Sequence, residues 1–204
     1  MLIEVVSVDA SHSCWFTFYM MRNNSGMAEP GQAPAAGADV LERLERLEAQ
    51  DTIRRLKAAY MQGLDDRLRG AVADLFWEDA IWESLPDRPL EGDEPVSAGS
   101  RIVGREAIAE SFVAAASAMS FTSHFLTNEE IAVDGDAATG RWKLLQTCNA
   151  GRDRAFWQAG IYIDDFVRRE GQWKFSHLRL ALDFRTPFDV GWLDVRMWDP
   201  ARPG

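Results

Sequence analysis

The sequence predicts an α+β fold in which N-terminal helices pack on one face of a curved, mixed or antiparallel sheet that encloses a cone-shaped cavity. Two observations support this prediction. Apolar residues recur every three or four positions in the first part of the chain, whereas alternating patterns separated by short turns dominate the later part. Helices that come early and strands that come late along one chain are typical of an α+β domain.

The helical pattern begins near residue 38 and continues to residue 64, with Asp51 predicted as an N-cap or a break. A second, short helix is predicted over residues 71–77. A third helix, rich in Ala, Ile and Phe, is predicted over residues 105–119. These segments supply the helices that are expected to cover the sheet.

The strands are predicted from alternating segments and from two turn signals. Asp134-Gly135 and Glu170-Gly171 each separate two such segments, and an acidic residue followed by Gly between apolar alternations predicts a hairpin. The predicted segments are the strand 80–84, the exposed loop 85–100, the hairpin strands 129–133 and 137–148, and the hairpin strands 156–168 and 172–184.

The chain of 204 residues has room for one ordinary domain and a tail. Residues 1–38 are expected to form a flexible N-terminal extension, because residues 27–37 have the Pro-, Gly- and Ala-rich composition of a linker. Met27 is an alternative start, in which case residues 1–26 would not belong to the native protein. Residues 39–204 are then expected to form a single α+β barrel domain.

Composition excludes several classes of function. The net charge of −10 disfavours nucleic acid and anionic membranes, because phosphate binding needs a basic face. No apolar run reaches the roughly 20 residues that span a bilayer. Cys14 and Cys148 lack metal-site spacing, and two isolated thiols are consistent with a reducing cytoplasm. We therefore expect a cytoplasmic protein. The chain also has no Gly-rich phosphate loop and no metal-ligand spacing, so we expect no cofactor and no metal.

Two residues of the domain are candidates for acid–base chemistry. Strand alternation places His124 on the same side as Leu126, where an imidazole with a pKa near its ordinary 6.5 could serve as a general base or acid. Asp65 shares a helix face with Met61, whereas Asp66 should turn outward. A carboxylate on an apolar face is costly unless it is paired, and a cavity histidine is its natural partner. The alternatives are a packed histidine and a solvent-exposed carboxylate at a helix end.

Aromatic and charged residues elsewhere are candidates for lining a cavity, although each can equally be a core or rim residue. Arg179 could bind an anionic or carbonyl oxygen, or it could pair with Asp183. His177 is expected to share a strand face with Trp173 and Phe175 and to have a structural or rim role. The candidate substrate-binding residues are Tyr60, Phe76, Trp82, Trp157 and Arg179, with Trp142 as a further candidate.

Four segments resemble the SnoaL-like, nuclear-transport-factor-like superfamily, and in particular the branch that contains scytalone dehydratase and hexachlorocyclohexane dehydrochlorinase. The resemblance covers roughly residues 45–190, and the segments that show it are 53–67, 73–82, 124–128 and 162–175. It implies a cone fold whose catalytic pair is Asp65 and His124. In that branch the histidine removes a proton from carbon while the aspartate orients the imidazole.

The resemblance also implies a function. It predicts a cofactor-independent lyase, similar to a dehydratase or dehydrohalogenase, that acts on a small, largely apolar cyclic or aromatic compound. A related isomerase or polyketide cyclase would use the same proton abstraction. The alternative is a non-catalytic binding module or assembly subunit of the same fold. A homodimer or homotrimer is expected, because the free face of such a sheet is usually covered by another subunit.

Overall fold

The computed structural model describes residues 36–87 and 97–200. The chain divides into two compact units, residues 1–40 and residues 41–204. In the first unit, the described residues 36–40 are helical. The rest of the predicted extension, including the Met27 alternative start, lies outside the described residues, as does most of the predicted loop 85–100. Within the described part of the chain, no helix is both long and apolar enough to cross a membrane.

Within the described residues, three helices precede or interrupt the strands: α1 (Ala36–Asp65), α2 (Arg69–Ala73) and α3 (Arg105–Ala118). The predicted break at Asp51 is wrong, because α1 continues through that residue and Asp51 forms an (i, i+4) ion pair with Arg55 at 2.9 Å. The predicted second helix extends too far. Phe76 is fully buried and pairs with Phe175 on another strand, so the chain has already turned into the sheet at residue 76.

In the part of the chain that the structure describes, six strands form one mixed sheet in the order β2-β1-β6-β5-β4-β3. Neighbouring strands are antiparallel except β1 and β6, which run parallel. The strands are β1 (Phe76–Ser84), β2 (Ser100–Val103), β3 (Met119–Asp134), β4 (Ala137–Ala150), β5 (Arg154–Arg169) and β6 (Gln172–Pro187). The sheet is curved and unclosed, and the predicted α+β cone fold is confirmed.

Two strands differ from the prediction for identifiable reasons. Strand β2, which pairs with β1 alone, was missed because its four residues are too few to show a pattern of alternation. Strand β3 begins at Met119, well before the predicted residue 129. Its pairing with β4 shifts register between Thr127 and Glu130, and Asn128 there has a left-handed φ of 52°. This irregularity breaks the alternation and conceals the first half of the strand.

A second irregularity changes which residues of β6 face the core. On β5 Asp165 and Phe166 are adjacent, whereas their partners His177 and Phe175 are separated by Ser176. The extra residue reverses the alternation, so that Phe175 and Leu178 are both fully buried. The prediction that His177 shares a face with Phe175 is therefore wrong. The His177 imidazole instead contacts Glu83 of β1, with 2.8 Å between Nε2 and Oε2.

Two opposite charges lie inside the core. The side chains of Lys57 on α1 and Asp164 on β5 are 1% and 0% exposed, and Nζ lies 2.7 Å from Oδ2. Among the described residues neither group has another hydrogen-bond partner, so the pair depends on the charge-assisted contact between the two side chains. Burial lowers the pKa of Lys57 to about 8 and raises the pKa of Asp164 to about 6, and in each case the partner's charge offsets part of the shift.

Candidate active site

Asp65 and His124, the two residues predicted to form a pair, contact each other directly. His124 Nδ1 lies 2.6 Å from Asp65 Oδ1, and the His124 backbone N–H donates to Oδ2 at 3.0 Å. The hydroxyl of Thr122 donates to Oδ1 at 2.9 Å. Three contacts from one strand therefore fix the carboxylate, and through it the plane of the imidazole.

The local fold explains this arrangement. Asp65 is the last residue of α1, where unpaired carbonyls make a carboxylate unfavourable. Strand β3 compensates by presenting donors from Thr122 and His124 to that helix end. Asp66 turns outward, as predicted, and its carboxylate accepts a hydrogen bond from Gln62 at 2.9 Å.

The chemistry of the contact assigns the tautomer of His124. A carboxylate only accepts hydrogen bonds, so the proton of the neutral ring lies on Nδ1 and the Nε2 lone pair is left available. Burial lowers the pKa of His124 below its ordinary value of 6.5, the neighbouring Asp65 charge offsets part of this shift, and the Lys57 charge adds to it. The imidazole is thus neutral at neutral pH and is suited to accept a proton.

His124 lies between two hollows. One is a cavity of about 330 Å³ on the sheet face that packs against α1 and α3. The other is a more open groove of about 530 Å³ between α1 and β3, and Asp65 lines this groove but not the cavity. Because Nδ1 faces Asp65, Nε2 lies on the ring edge that is turned away from that carboxylate. We assign the cavity, which is the less open of the two hollows, as the candidate substrate site.

The cavity wall is mainly apolar and aromatic. Pro200 of the C-terminal segment contributes to it, and nearby Trp198 packs on the cavity residue Phe156 with 5.5 Å between ring centroids. The larger apolar and aromatic residues that line the cavity are Tyr60, Leu64, Trp82, Phe112, Met119, Phe156, Tyr162 and Leu180. Such a wall excludes water from a bound compound and strengthens electrostatic interactions at the histidine.

Two of the predicted substrate-binding residues, Tyr60 and Trp82, line this cavity. The Trp82 Nε1–H donates to the Tyr60 hydroxyl at 3.1 Å, which orients the tyrosine. Burial raises the pKa of both Tyr60 and Tyr162 above 10, so both phenols stay protonated at neutral pH. Tyr60 and Tyr162 are therefore potential hydrogen-bond donors to a substrate oxygen or halogen.

The other three predicted substrate-binding residues do not reach the cavity. Phe76 lies in the hydrophobic core, where its ring stacks on that of Phe175 at 4.9 Å. Trp157 alternates with the cavity residues Phe156 and Gln158, so it faces the opposite side of the sheet and packs on Trp192 at 5.1 Å.

Arg179 is likewise outside the cavity lining, because it alternates with the inward-facing Leu178 and Leu180 of β6. Its guanidinium forms an ion pair with Asp165 at 2.6 Å and donates to the carbonyl of Ile163. Asp183, the alternative partner suggested from the sequence, contacts Lys143 at 3.3 Å. Trp142, the further candidate, lines the groove instead of the cavity.

The polar residues of the cavity that the sequence analysis missed include Gln146, Gln158 and Arg185. Alternation could have revealed Gln146, because it shares a strand face with the apolar Trp142 and Leu144. Arg185 could not have been found in this way, since β6 shifts register a second time between Leu182 and Phe184.

The Cys148 thiol is poorly suited to act as a nucleophile. Burial raises the pKa of Cys148 to about 12, which keeps this thiol protonated. Within residues 36–87 and 97–200, no group of three or more His, Cys, Asp or Glu side chains is arranged to hold a metal ion.

The curved α+β sheet covered by helices, with a cavity beside a histidine–carboxylate contact, places the protein in the nuclear-transport-factor-like cone class. The chain belongs to the SnoaL-like domain family, whose sequence profile matches residues 45–179. The resemblance noted in the sequence is thereby confirmed.

Known relatives agree with this assignment. The chain is 25% identical over 146 residues to hexachlorocyclohexane dehydrochlorinase 1 of Sphingobium indicum. This match covers 71% of this chain and 88% of that protein. The crystal structure of the LinA-type3 hexachlorocyclohexane dehydrochlorinase of Novosphingobium barchaimii matches with a TM-score of 0.61 and 26% identity, over 72% of this chain and 94% of that one. An NTF2-like protein of Novosphingobium aromaticivorans shares the fold with a TM-score of 0.54 and 22% identity, over 80% and 96% of the two chains. These similarities support a lyase-like function.

Proposed function

We propose that this protein is a cofactor-independent lyase that removes a proton from a carbon atom of a small cyclic or aromatic compound and expels water or a halide. The observation that supports the proposal most strongly is the 2.6 Å contact between His124 Nδ1 and Asp65 Oδ1 at the wall of the cavity. Nδ1 is held by the carboxylate, so Nε2 is the basic atom that remains for a substrate.

The reaction balances as a 1,2-elimination. His124 Nε2 takes the proton, the electron pair of the broken C–H bond becomes the carbon–carbon double bond, and the leaving group departs with its own bonding pair. The imidazolium that forms is stabilised by the negative charge of Asp65. For dehydration, the same proton can pass from Nε2 to the departing hydroxide, which leaves as water. A halide needs no proton, and the imidazolium then returns its proton to solvent.

The cavity sets the size and polarity of the substrate. A volume of about 330 Å³ is at the small end of ligand sites, which matches a compound of one ring with few substituents. Tyr60 and Tyr162 line it with protonated phenols, and donation from these groups to an oxygen or halogen of the substrate is part of the proposal. An isomerase or polyketide cyclase would begin with the same proton transfer and would differ only in the fate of the carbanion-like intermediate.

The proposal is tested by measuring turnover of a panel of small ring compounds. The panel contains hexachlorocyclohexane, which appears in the names of the relatives, together with cyclic β-hydroxy and β-halo ketones and their ring-carboxylated analogues. We expect at least one compound to release halide or water, detected by ion chromatography or mass spectrometry, and to be inert with the His124→Gln variant. Tight binding of panel compounds with no turnover in either protein would indicate a binding module instead.

Association into a homodimer or homotrimer stays a prediction. It is supported by large apolar side chains on the outer face of the sheet, because Phe121 and Phe125 of β3 and Leu145 of β4 are all exposed, and Phe125 pairs in register with Leu145. A cytoplasmic location also stays a prediction.

A further inference from the structure

Four polar side chains form a row across the cavity wall. His124 of β3 pairs in register with Gln146 of β4, Gln146 pairs with Gln158 of β5, and Gln158 pairs with Arg185 of β6. All four residues line the cavity. Since neighbouring strands are about 4.8 Å apart, the backbone positions of His124 and Arg185 are separated by roughly 14 Å along the sheet. The proposed base and a permanent cation thus stand at opposite ends of one row.

Hydrogen bonds hold the row in place. Arg185 Nε donates to Gln158 Oε1 at 2.9 Å, and Gln158 Nε2 donates to Gln146 Oε1 at 2.7 Å. The backbone of Arg185 is held as well, because its N–H donates to the Arg196 carbonyl and its carbonyl accepts from the Trp198 N–H, both at 2.8 Å. The guanidinium is therefore oriented by its surroundings before any ligand arrives, which lowers the entropic cost of binding one.

The outer edge of the Arg185 guanidinium is the free part of this network. Among residues 36–87 and 97–200, its recorded hydrogen bonds use Nε alone, and none of the carboxylates described there forms an ion pair with it. Nη1 and Nη2 thus present a two-pronged donor set of the kind that matches a carboxylate. The second arginine of the cavity differs, since Arg67 donates through Nη1 and Nη2 to the carbonyls of Ala116 and Met119.

The electrostatic environment also favours an anion at Arg185. Burial lowers the pKa of the guanidinium, while the charge of Asp87, followed by Cys148 and Asp199, offsets part of this shift. A largely desolvated cation without a direct counter-ion is costly, and a ligand carboxylate would remove that cost.

We propose that Arg185 binds a carboxylate of the substrate, so that the compound carries this anionic group at one end and the carbon acid that faces His124 at the other. The inference rests on the proposed function for the identity of the reacting end and extends it to the substrate class, a small ring compound with a carboxylate side group. Gln146 and Gln158 would lie along the ring between the two ends.

The test compares a carboxylate with its neutral amide. Benzoate, cyclohexanecarboxylate and 3-phenylpropanoate are titrated into the wild-type protein by calorimetry, each beside its primary amide. We expect at least one acid to bind about 10- to 100-fold more tightly than its amide, the range for a charge-assisted hydrogen bond. Equal affinity of acid and amide in every pair, or no binding of any acid, would overturn the inference without use of a variant.

Variants then locate the interaction. We expect Arg185→Met to abolish the preference for the acid and Arg185→Lys to retain part of it. Arg179→Met, which alters an arginine outside the cavity lining, and His124→Gln should both keep the preference in full. A preference that persists in a folded Arg185→Met protein contradicts the assignment to Arg185. Binding is measured apart from turnover, so a failure here is distinguishable from a failure of the proposed lyase activity.

Discussion

Replacing His124 with Gln is expected to lower kcat by about 10²- to 10⁴-fold, the usual contribution of a general base. Glutamine is similar in length and can still donate to Asp65, but its amide has no basic nitrogen to accept a proton from carbon. Steady-state kinetics on the panel compound with the highest turnover measures the effect. Near-wild-type kcat in the His124→Gln protein would show that another group removes the proton.

Asp65→Asn supplies a companion variant to His124→Gln. An asparagine amide placed against Nδ1 favours the opposite tautomer, with the proton on Nε2, and we expect a loss of similar order. The neighbouring Asp66→Asn is the matched control. Asp66 carries the same charge at the same helix end but contacts Gln62 and not His124, so its replacement should leave kcat unchanged.

Replacing Lys57 with Met is expected to lower the free energy of unfolding by about 3–5 kcal/mol, because it leaves Asp164 buried and unpaired. Replacing Asp164 alone with Leu should cost a similar amount by leaving the ammonium unpaired. The double variant Lys57→Met/Asp164→Leu should recover most of the loss, since an apolar pair avoids desolvation of both ions. Urea unfolding of the four proteins measures the coupling.

The pH dependence of the Lys57→Met variant has a definite sign. The pKa of Asp164 is already raised to about 6 in the wild type, and removal of the Lys57 charge raises it further. A carboxyl whose folded pKa exceeds its unfolded pKa binds its proton first in the folded state, so falling pH stabilises the fold. The deficit of the variant relative to the wild type should therefore shrink as the pH falls towards 6, and it should change little below pH 6, where Asp164 is protonated in both folded proteins.

A surface ion pair serves as the control for the Lys57 series. Arg168 and Asp136 contact at 2.7 Å with side chains 37% and 71% exposed, so Asp136→Ala should cost less than about 1 kcal/mol. Equal losses of unfolding free energy from Lys57→Met and Asp136→Ala would contradict the claim that Lys57 stabilises the fold by pairing with a buried charge.

The sequence predicted the parts of the fold that depend on local pattern. The hairpins around Asp134-Gly135 and Glu170-Gly171 were found, because turn chemistry and alternation coincide there. Strand β2 and the first half of β3 were missed, because β2 is too short to alternate and β3 is interrupted at Asn128.

Some residues of the candidate site were predicted from the sequence, and others were not. Asp65 and His124 were named from helix and strand periodicity together with the family resemblance, and the structure brings them into contact. The sequence did not show that Phe76 belongs to the core, or that Trp157 and Arg179 lie outside the cavity. Aromatic or charged character alone does not indicate which face of a strand a residue occupies. The row from His124 to Arg185 depends on the register of four strands and on two bulges in β6, which only the folded sheet defines.

The protonation state of His124 tests the central claim most directly, and it can be measured without a substrate. In nitrogen-15 NMR of the protein across a pH series, we expect a neutral ring at pH 7 with the proton on Nδ1 and an unprotonated Nε2. Its pKa should lie below the ordinary value of 6.5, because burial outweighs the charge of Asp65. That result would leave Nε2 as a free base facing the cavity. A proton on Nε2 at pH 7, or a ring that stays cationic above pH 7, would contradict the proposed role of His124.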